Sequence, residues 1–274
     1  MVLSKSVDEY KTKIAEIFNA RIDYNRSEIH ARLADRLVQL AAPQPNEKVL
    51  DIATGTGFVA ISVARLVGER GKVVGVDISA GMLKQAEQAV SAASLSNIEL
   101  VLTDAETLDY AAGSFDLICC CNALPYMSNV PAALRHWQSL LRPGGRLAFN
   151  CWSEQSYVTG RLLRTFAARY GIQVAVVGHD TGTPKRCHAV LADAGYTLID
   201  VVAESTGKFY AANQLDAALD SAVKNPIYGI TQNGAKQLSF LRREYLTEAR
   251  SPSVWNSINA EVGAYFVLAQ KPFT

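Results

Sequence analysis

The stretch "VLDIATGTG", residues 49–57, carries most of the information about the fold. It starts as a short apolar run that is typical of a buried strand, and it ends in a loop that contains Gly55 and Gly57. Glycines in such a loop allow the backbone to approach a ligand closely. The next segment, "FVAISVARLVGER", has the apolar spacing of a helix. Strand, glycine loop and helix in this order predict a ligand site at the carboxyl end of the strand.

The same alternation continues on both sides of this stretch. Further strands are predicted in "GKVVGVDI", "NIELVLTD", "FDLICCCNA" and "RLAFNCW", and further helices in "AGMLKQAEQAVSAA" and "VPAALRHWQSLL". Alternating strands and helices predict an α/β fold with a doubly wound, parallel sheet. Such a sheet is covered on both faces, which agrees with the nearly continuous apolar character of these strands.

Breaks in the alternation of strands and helices suggest that the chain has four parts. We expect an N-terminal helical cap at residues 1–41, a core at 42–204, a helical insertion at 205–261 and a final strand at 262–274, which contains "YFVLAQKP". An insertion of that length between two strands usually has a role, so we expect it to act as a lid over a substrate pocket.

Composition restricts the class of partner. The 274 residues are 49% hydrophobic and 19% charged, and 27 Lys and Arg residues oppose 26 Asp and Glu residues. The formal net charge of +1 and the lack of a basic cluster argue against nucleic acid as a partner. No apolar stretch approaches the length of a membrane span, and the N-terminus lacks the apolar region of a secretory signal. We therefore expect a cytoplasmic protein, either monomer or homodimer.

The five cysteines do not form a metal site in this prediction. Cys119, Cys120 and Cys121 are consecutive in a predicted strand, where neighbouring side chains point to opposite faces, and Cys151 and Cys187 form no C-x-x-C pair. We expect all five to be small buried side chains in a reducing compartment and expect no bound metal.

Three acidic residues distinguish between two classes of cofactor. The glycine loop and Asp77, at the end of the second strand, suit NAD as well as S-adenosylmethionine. Asp51 precedes the loop, and its charge disfavours a pyrophosphate but favours the cationic methionine end of S-adenosylmethionine. Asp104 ends the third strand, where it can accept a hydrogen bond from an adenine amino group. The order of the three acids therefore indicates S-adenosylmethionine, with S-adenosylhomocysteine as the product.

These motifs resemble those of class I S-adenosylmethionine-dependent methyltransferases. "VLDIATGTG", "VVGVDIS", "TDAETL" and "LLRPGGRLAF" are similar to motifs of the small-molecule branch that includes the ubiquinone and menaquinone biosynthesis methyltransferases, over roughly residues 40–152. The family implies a Rossmann-like, seven-stranded, mostly parallel sheet whose last strand is antiparallel. Ala53 replaces the first of three motif glycines, as occurs in the quinone branch, which implies that the backbone there need not adopt a glycine-only conformation.

The resemblance also implies roles for individual residues. The methionine moiety would contact Asp51, Ala53, Gly55 and Gly57, and the ribose would contact Asp77. The adenine would contact Ile78, Met82, Asp104 and Ala105, and the sulfonium would contact Asn122. Tyr24 is expected to cap the cofactor, and Tyr126, Trp152 and Tyr157 to line an apolar acceptor pocket.

Two histidines are candidate bases. His30 belongs to the N-terminal helices, which fold over the cofactor in this branch, and His179 follows the fifth strand. A base is needed only if the acceptor must lose a proton, because the sulfonium is already an excellent leaving group and the protein mainly aligns the reactants.

The sequence thus predicts a methyltransferase that acts on oxygen or carbon of a small, partly apolar metabolite, with nitrogen acceptors still open. An NAD(P)-dependent oxidoreductase is the rival enzyme, disfavoured by Asp51, by Asp104 and by the lack of a recognisable Tyr-x-x-x-Lys pair. A non-catalytic protein that binds S-adenosylmethionine is the third alternative. "NALPY", residues 122–126, departs from the N-P-P-Y signature of amino-group methyltransferases, because it has one extra residue and lacks the first proline.

Overall fold

The N-terminal region forms two helices that are separated by a turn. The computed structural model describes residues 2–26, 28–208, 212–254 and 262–273. Helix α1 (Val2–Asn19) is followed by a short 3-10 turn and by helix α2 (Glu28–Ala41). The N-terminal helical cap predicted at residues 1–41 is therefore interrupted by the turn at Tyr24–Arg26.

The described residues contain one sheet of seven strands. They are β1 (Lys48–Ile52), β2 (Lys72–Asp77), β3 (Ile98–Leu102), β4 (Phe115–Cys121), β5 (Leu141–Trp152), β6 (Thr197–Lys208) and β7 (Val262–Gln270). The strand order is β3-β2-β1-β4-β5-β7-β6. Strands β1 to β5 pair in parallel, whereas β7 is antiparallel to both β5 and β6. The order reverses between β1 and β4, and a ligand site is expected at such a reversal.

The remaining helices lie between strands along the chain. They are α3 (Phe58–Val67), α4 (Ala80–Ala92), α5 (Val130–Leu140), α6 (Val158–Ala168), α7 (Pro184–Asp193), α8 (Leu215–Lys224), α9 (Gln232–Phe240) and α10 (Arg242–Ala249). Side-chain caps fix several helix starts: the Ser79 hydroxyl accepts from the Met82 N–H at the start of α4, and the Asn129 amide oxygen accepts from the Ala132 N–H at the start of α5.

The sheet is buried on both faces, as its apolar strands require. Alternate residues of β1 belong to different clusters: Val49 packs with α2 and α3, whereas Leu50 and Ile52 pack with α5 and α7. The Trp137 ring of α5 is completely buried in the second cluster. These two layers hold the carboxyl ends of the strands in fixed positions.

A third apolar cluster lies outside the sheet. It joins α6 to α8, α9 and α10 through side chains that include Leu163, Phe166, Leu219, Leu238 and Tyr245. Helix α6, which the sequence pattern assigned to the core, therefore packs with the helices of the insertion. The boundaries of the four predicted parts remain predictions.

The fold predicted from sequence is confirmed: a Rossmann-like α/β sheet, mostly parallel with an antiparallel last strand, between helical layers. Within the described ranges, no helix combines the length and apolarity needed to cross a bilayer. The structure also describes no group of three or more potential metal ligands among these residues.

Candidate functional site

The glycine loop leaves β1 in an unusual backbone conformation. Gly55 and Gly57 both have positive φ angles, +58° and +89°. Ala53 also has a positive φ, +50°. The chain therefore turns at Ala53 in the left-handed helical region, which glycine favours but which alanine can enter at a cost of about 1 kcal/mol.

Asp51 is buried beneath this loop. Its side chain is 1% exposed, and one carboxylate oxygen accepts a hydrogen bond from Thr54 Oγ1 at 2.6 Å. Burial raises the pKa of Asp51 to about 7, although hydrogen bonds from Thr54 and from the Ala60 N–H partly oppose this shift. The carboxylate thus titrates close to neutral pH, and a nearby cation would favour its ionised form.

Asp77, the last residue of β2, joins two loops. Its carboxylate accepts from the Gly55 N–H and from the Ser79 N–H, each at 2.8 Å. Burial raises the pKa of Asp77, while these backbone hydrogen bonds lower it. The side chain is therefore aligned before any ligand binds.

Asp104 follows β3 and is paired with the N-terminal helix. Lys11 of α1 donates to Asp104 Oδ1 at 3.1 Å and also forms an ion pair with Glu106. Glu106 in turn accepts from the backbone N–H groups of Ser128 and Asn129, each at 2.9 Å, and the hydrogen bonds keep the pKa of Glu106 below its ordinary value despite burial. Lys11 therefore connects α1 to both loops on this side of the site.

Asn122, just after β4, is positioned by a second asparagine. Its N–H donates to Asn150 Oδ1 at 2.8 Å, and Asn150 Nδ2 donates to Asn122 Oδ1 at 2.7 Å. Asn150 is completely buried in β5. Asn122 has a positive φ of +57°, and the paired amides hold it in this turn.

Aromatic side chains from the N-terminal region form another wall of the candidate site. The rings of Tyr24 and His30 stack with centroids 4.6 Å apart, and Phe18 meets Tyr126 edge-on at 5.1 Å. Burial raises the pKa of Tyr24, so that its hydroxyl stays protonated at neutral pH. The Arg21 guanidinium lies 4.4 Å from the Phe18 ring centroid.

Most of the predicted site residues face one cavity at the carboxyl ends of β1, β2 and β4. Those that line it are Tyr24, His30, Asp51, Ala53, Gly55, Asp77, Ile78, Met82, Asp104, Ala105, Asn122, Tyr126, Trp152 and Tyr157. Gly57 is not a lining residue; it lies at the start of α3, where its N–H donates to the Thr54 carbonyl at 2.9 Å.

His179 is also outside this cavity. Its side chain is 75% exposed, and its ring contacts the carboxylate of the neighbouring Asp180 at 3.2 Å. His179 does not line the cavity, so the structure gives no support to His179 as a base. His30 remains the candidate of the two that faces the cavity.

Sequence reasoning missed several residues of the site. The cavity is also lined by Lys11, Phe18, Arg21, Thr54, Thr56 and Ile227. Ile227 comes from the predicted insertion and Lys11 from the predicted cap, so their presence depends on long-range packing. Only the lone asparagine in "RLAFNCW", Asn150, carried a usable signal, since a polar residue in an apolar strand is normally held by a specific partner.

Comparison with known proteins finds a family model and curated relatives that this chain resembles. Residues 49–145 match the family described as "Methyltransferase domain". Aklanonic acid methyltransferase DauC from Streptomyces sp. (strain C5) is 34% identical over 143 residues, which are 51% of this chain and 65% of that protein. The ubiquinone/menaquinone biosynthesis C-methyltransferase UbiE of Shewanella frigidimarina (strain NCIMB 400) is 36% identical over 120 residues, which are 43% of this chain and 48% of that protein.

A solved structure supports the same fold over a longer range. The [4+2]-cyclase SpnF superposes with a TM-score of 0.58 at 19% identity, covering 89% of this chain and 81% of that one. The chain spans about half to two thirds of the length of the two curated relatives. The resemblance recognised in the sequence motifs is confirmed: residues 49–145 match a methyltransferase family model, and both curated relatives are named methyltransferases.

Proposed function

We propose that the protein transfers a methyl group from S-adenosylmethionine to oxygen or carbon of a small, partly apolar metabolite. The observation that carries this proposal is the arrangement of Asp51 and Asp77, which lie at the carboxyl ends of adjacent strands beneath a glycine loop and face one cavity. The Asp51 carboxylate disfavours a pyrophosphate beside the loop, whereas it favours a sulfonium and an ammonium group there.

The residues present suit this cofactor at each end. Asp51 supplies negative charge near the methionine moiety, and Asp77 presents an aligned carboxylate to ribose hydroxyls. Asp104 and the Ala105 backbone would meet the adenine, and the Ala105 carbonyl is held by Trp137 Nε1 at 2.8 Å. Met82 and Ile78 add apolar contact for the ring. When bound, the cofactor supplies an electrophilic methyl group on a good leaving group.

The protein's own contribution is alignment and exclusion of water. The aromatic residues Phe18, Tyr24 and Tyr126 cover the cavity, and Asn122 is fixed in place by Asn150. We propose that the cap at residues 1–41 and the insertion at 205–261 close over the acceptor, because Ile227 and the N-terminal aromatics share the cavity. Tyr126, Trp152 and Tyr157 would contact the acceptor, and His30 would accept a proton where the acceptor must lose one.

The names of the relatives support this choice of acceptor class. One is named for aklanonic acid and the other for ubiquinone and menaquinone biosynthesis, where the transfer is to carbon. The fold by itself is weaker support, since the cyclase SpnF shares it. A non-catalytic protein that binds the cofactor therefore remains the second candidate, and the NAD(P)-dependent oxidoreductase is not favoured.

Calorimetry tests the cofactor assignment. We expect S-adenosylhomocysteine to bind and NADH not to bind; binding of NADH alone would refute the proposal. Asp77→Ala should lower the affinity for S-adenosylhomocysteine by about 100-fold, because a charge-assisted contact to the ribose and the alignment of the Gly55 loop are lost together. Asp109→Ala, on a loop outside the cavity, is the matched control.

Turnover requires a separate measurement. Methyl-labelled S-adenosylmethionine, incubated with the protein and a broad metabolite extract, should give a labelled small molecule. A protein that binds S-adenosylhomocysteine but labels nothing would favour the non-catalytic candidate.

A further inference from the structure

A second cavity adjoins the proposed active site and carries a different charge. The two cavities share Tyr157, and the turn at Pro226–Tyr228 lines both, with Ile227 facing the first and Tyr228 facing the second. Arg161 and Arg164, one turn apart on α6, line the second cavity. Its remaining wall includes the apolar side chains of Val176 and Val177.

The positive charge of this second cavity is largely uncompensated. Glu154 is the acidic residue among its lining residues, and its carboxylate already accepts from Arg186 Nη1 at 2.8 Å. Arg161 donates to a neutral group, the Gln155 carbonyl, at 3.2 Å. Across the described ranges Arg164 makes no hydrogen bond or ion pair. Two half-buried guanidinium groups thus face a cavity with no carboxylate partner of their own among the described residues.

The partition between the two cavities is held in place by close packing. A Cβ atom on Gly160 would lie 2.5 Å from Tyr228 Cε1, so the Tyr228 ring rests directly on the backbone of α6. The Tyr228 carbonyl accepts from the Ala175 N–H at 2.8 Å. On the other side, a Cβ atom on Gly178 would lie 3.3 Å from Tyr157 Cε2. These contacts fix both tyrosines at the junction of the two cavities.

We propose that the second cavity is an acceptor subsite for an anionic group, a carboxylate or a phosphate, on the far end of the methyl acceptor. The acceptor's apolar body would occupy the first cavity beside Tyr126 and Trp152, and its anionic end would pass Tyr157 to reach Arg161 and Arg164. Arginine suits this role because its planar guanidinium binds either anion through paired hydrogen bonds. This inference rests on the proposed function, since it names the class of acceptor for the same site.

The test uses protein saturated with S-adenosylhomocysteine and a set of synthetic probes. The probes are phenylalkyl carboxylates of increasing chain length, the matching uncharged carboxamides and the matching phosphonates, with affinity measured by calorimetry. We expect an anion of suitable length to bind about tenfold more tightly than its carboxamide. A preference for either anion supports the subsite, and the stronger of the two identifies which anion the pair of arginines selects.

Variants then locate that preference. Arg161→Gln with Arg164→Gln should abolish the advantage of the anions over the carboxamides, whereas Arg135→Gln, an exposed arginine of α5 outside both cavities, should retain it. The inference is overturned if anions bind no better than carboxamides, including the case in which no probe binds at millimolar concentration, or if the preference survives the double substitution. S-adenosylhomocysteine affinity, measured first, separates these outcomes from failure of the proposed function: its absence refutes the function, whereas its presence without anion preference refutes only the subsite.

Discussion

At the scale of single residues, the ionisation of Asp51 is a property that binding experiments can test directly. The side chain is buried under the glycine loop and its pKa is raised to about 7. A cationic ligand stabilises the ionised carboxylate, so binding below that pKa must be accompanied by loss of a proton. The affinity for a cationic ligand should therefore fall as the pH decreases below about 7.

We predict that S-adenosylmethionine binds more weakly as the pH falls below about 7, by up to about tenfold per pH unit. In Asp51→Asn the affinity at neutral pH should be lower and less dependent on pH near 7, because the carboxylate whose pKa is raised to about 7 has been removed. Calorimetry of both proteins between about pH 5.5 and about pH 8 measures this difference. An unchanged pH dependence in the variant would assign the effect to another group.

At the scale of secondary-structure elements, α1 is attached to the loops that follow β2 and β3 at two points, near its middle and at its C-terminal end. Near its middle, Lys11 pairs with Asp104 and Glu106. At its end, the Asn19 amide oxygen accepts from the Ser79 hydroxyl and from the Gly81 N–H, both at 2.8 Å. The helix therefore crosses above the carboxyl ends of the strands and closes one side of the cavity.

Lys11→Met should lower the free energy of unfolding by about 1 to 2 kcal/mol, because two partly buried carboxylates lose their shared cation. The substitution should also weaken the binding of S-adenosylhomocysteine, since α1 is then less well held over the adenine end of the site. Lys13→Met, an exposed position on the same helix, is the control and should change neither quantity. Chemical denaturation and calorimetry give the two measurements; equal behaviour of both variants would mean that the ion pairs contribute little.

At the scale of the whole molecule, cap, sheet and insertion meet at one cavity. Residues from α1, from the loops after β1 to β4 and from the turn that contains Ile227 all line it. A ligand bound there contacts segments that are far apart in the chain, and it should therefore reduce their opening together.

We predict that S-adenosylhomocysteine slows amide hydrogen exchange in α1 as well as in the glycine loop. Helix α9, which packs in the third apolar cluster and contributes no residue to the cavity, should exchange at an unchanged rate. Exchange measured by mass spectrometry with and without the ligand distinguishes these segments. Protection confined to the glycine loop would show that α1 does not cover the cofactor.

The sequence by itself determined the sheet, its parallel core and most of the acidic positions of the site. Apolar runs such as "KVVGV" and the residues that end them are local features, and parallel strands bring their carboxyl ends to one edge whatever the flanking helices do. Asp51, Asp77 and Asp104 could therefore be placed from their spacing alone.

Only the tertiary structure decided what lies opposite those acids. Lys11 is 93 residues from Asp104 in the chain, and Asn150 is 28 residues from Asn122, so neither pairing leaves a pattern in the local sequence. The positive φ of Ala53 and the exposed position of His179 depend on how loops pack against the sheet. Local spacing encodes secondary structure, whereas contacts between distant segments depend on the complete packing of the chain, and those contacts close the cavity and place Arg161 and Arg164 beside it.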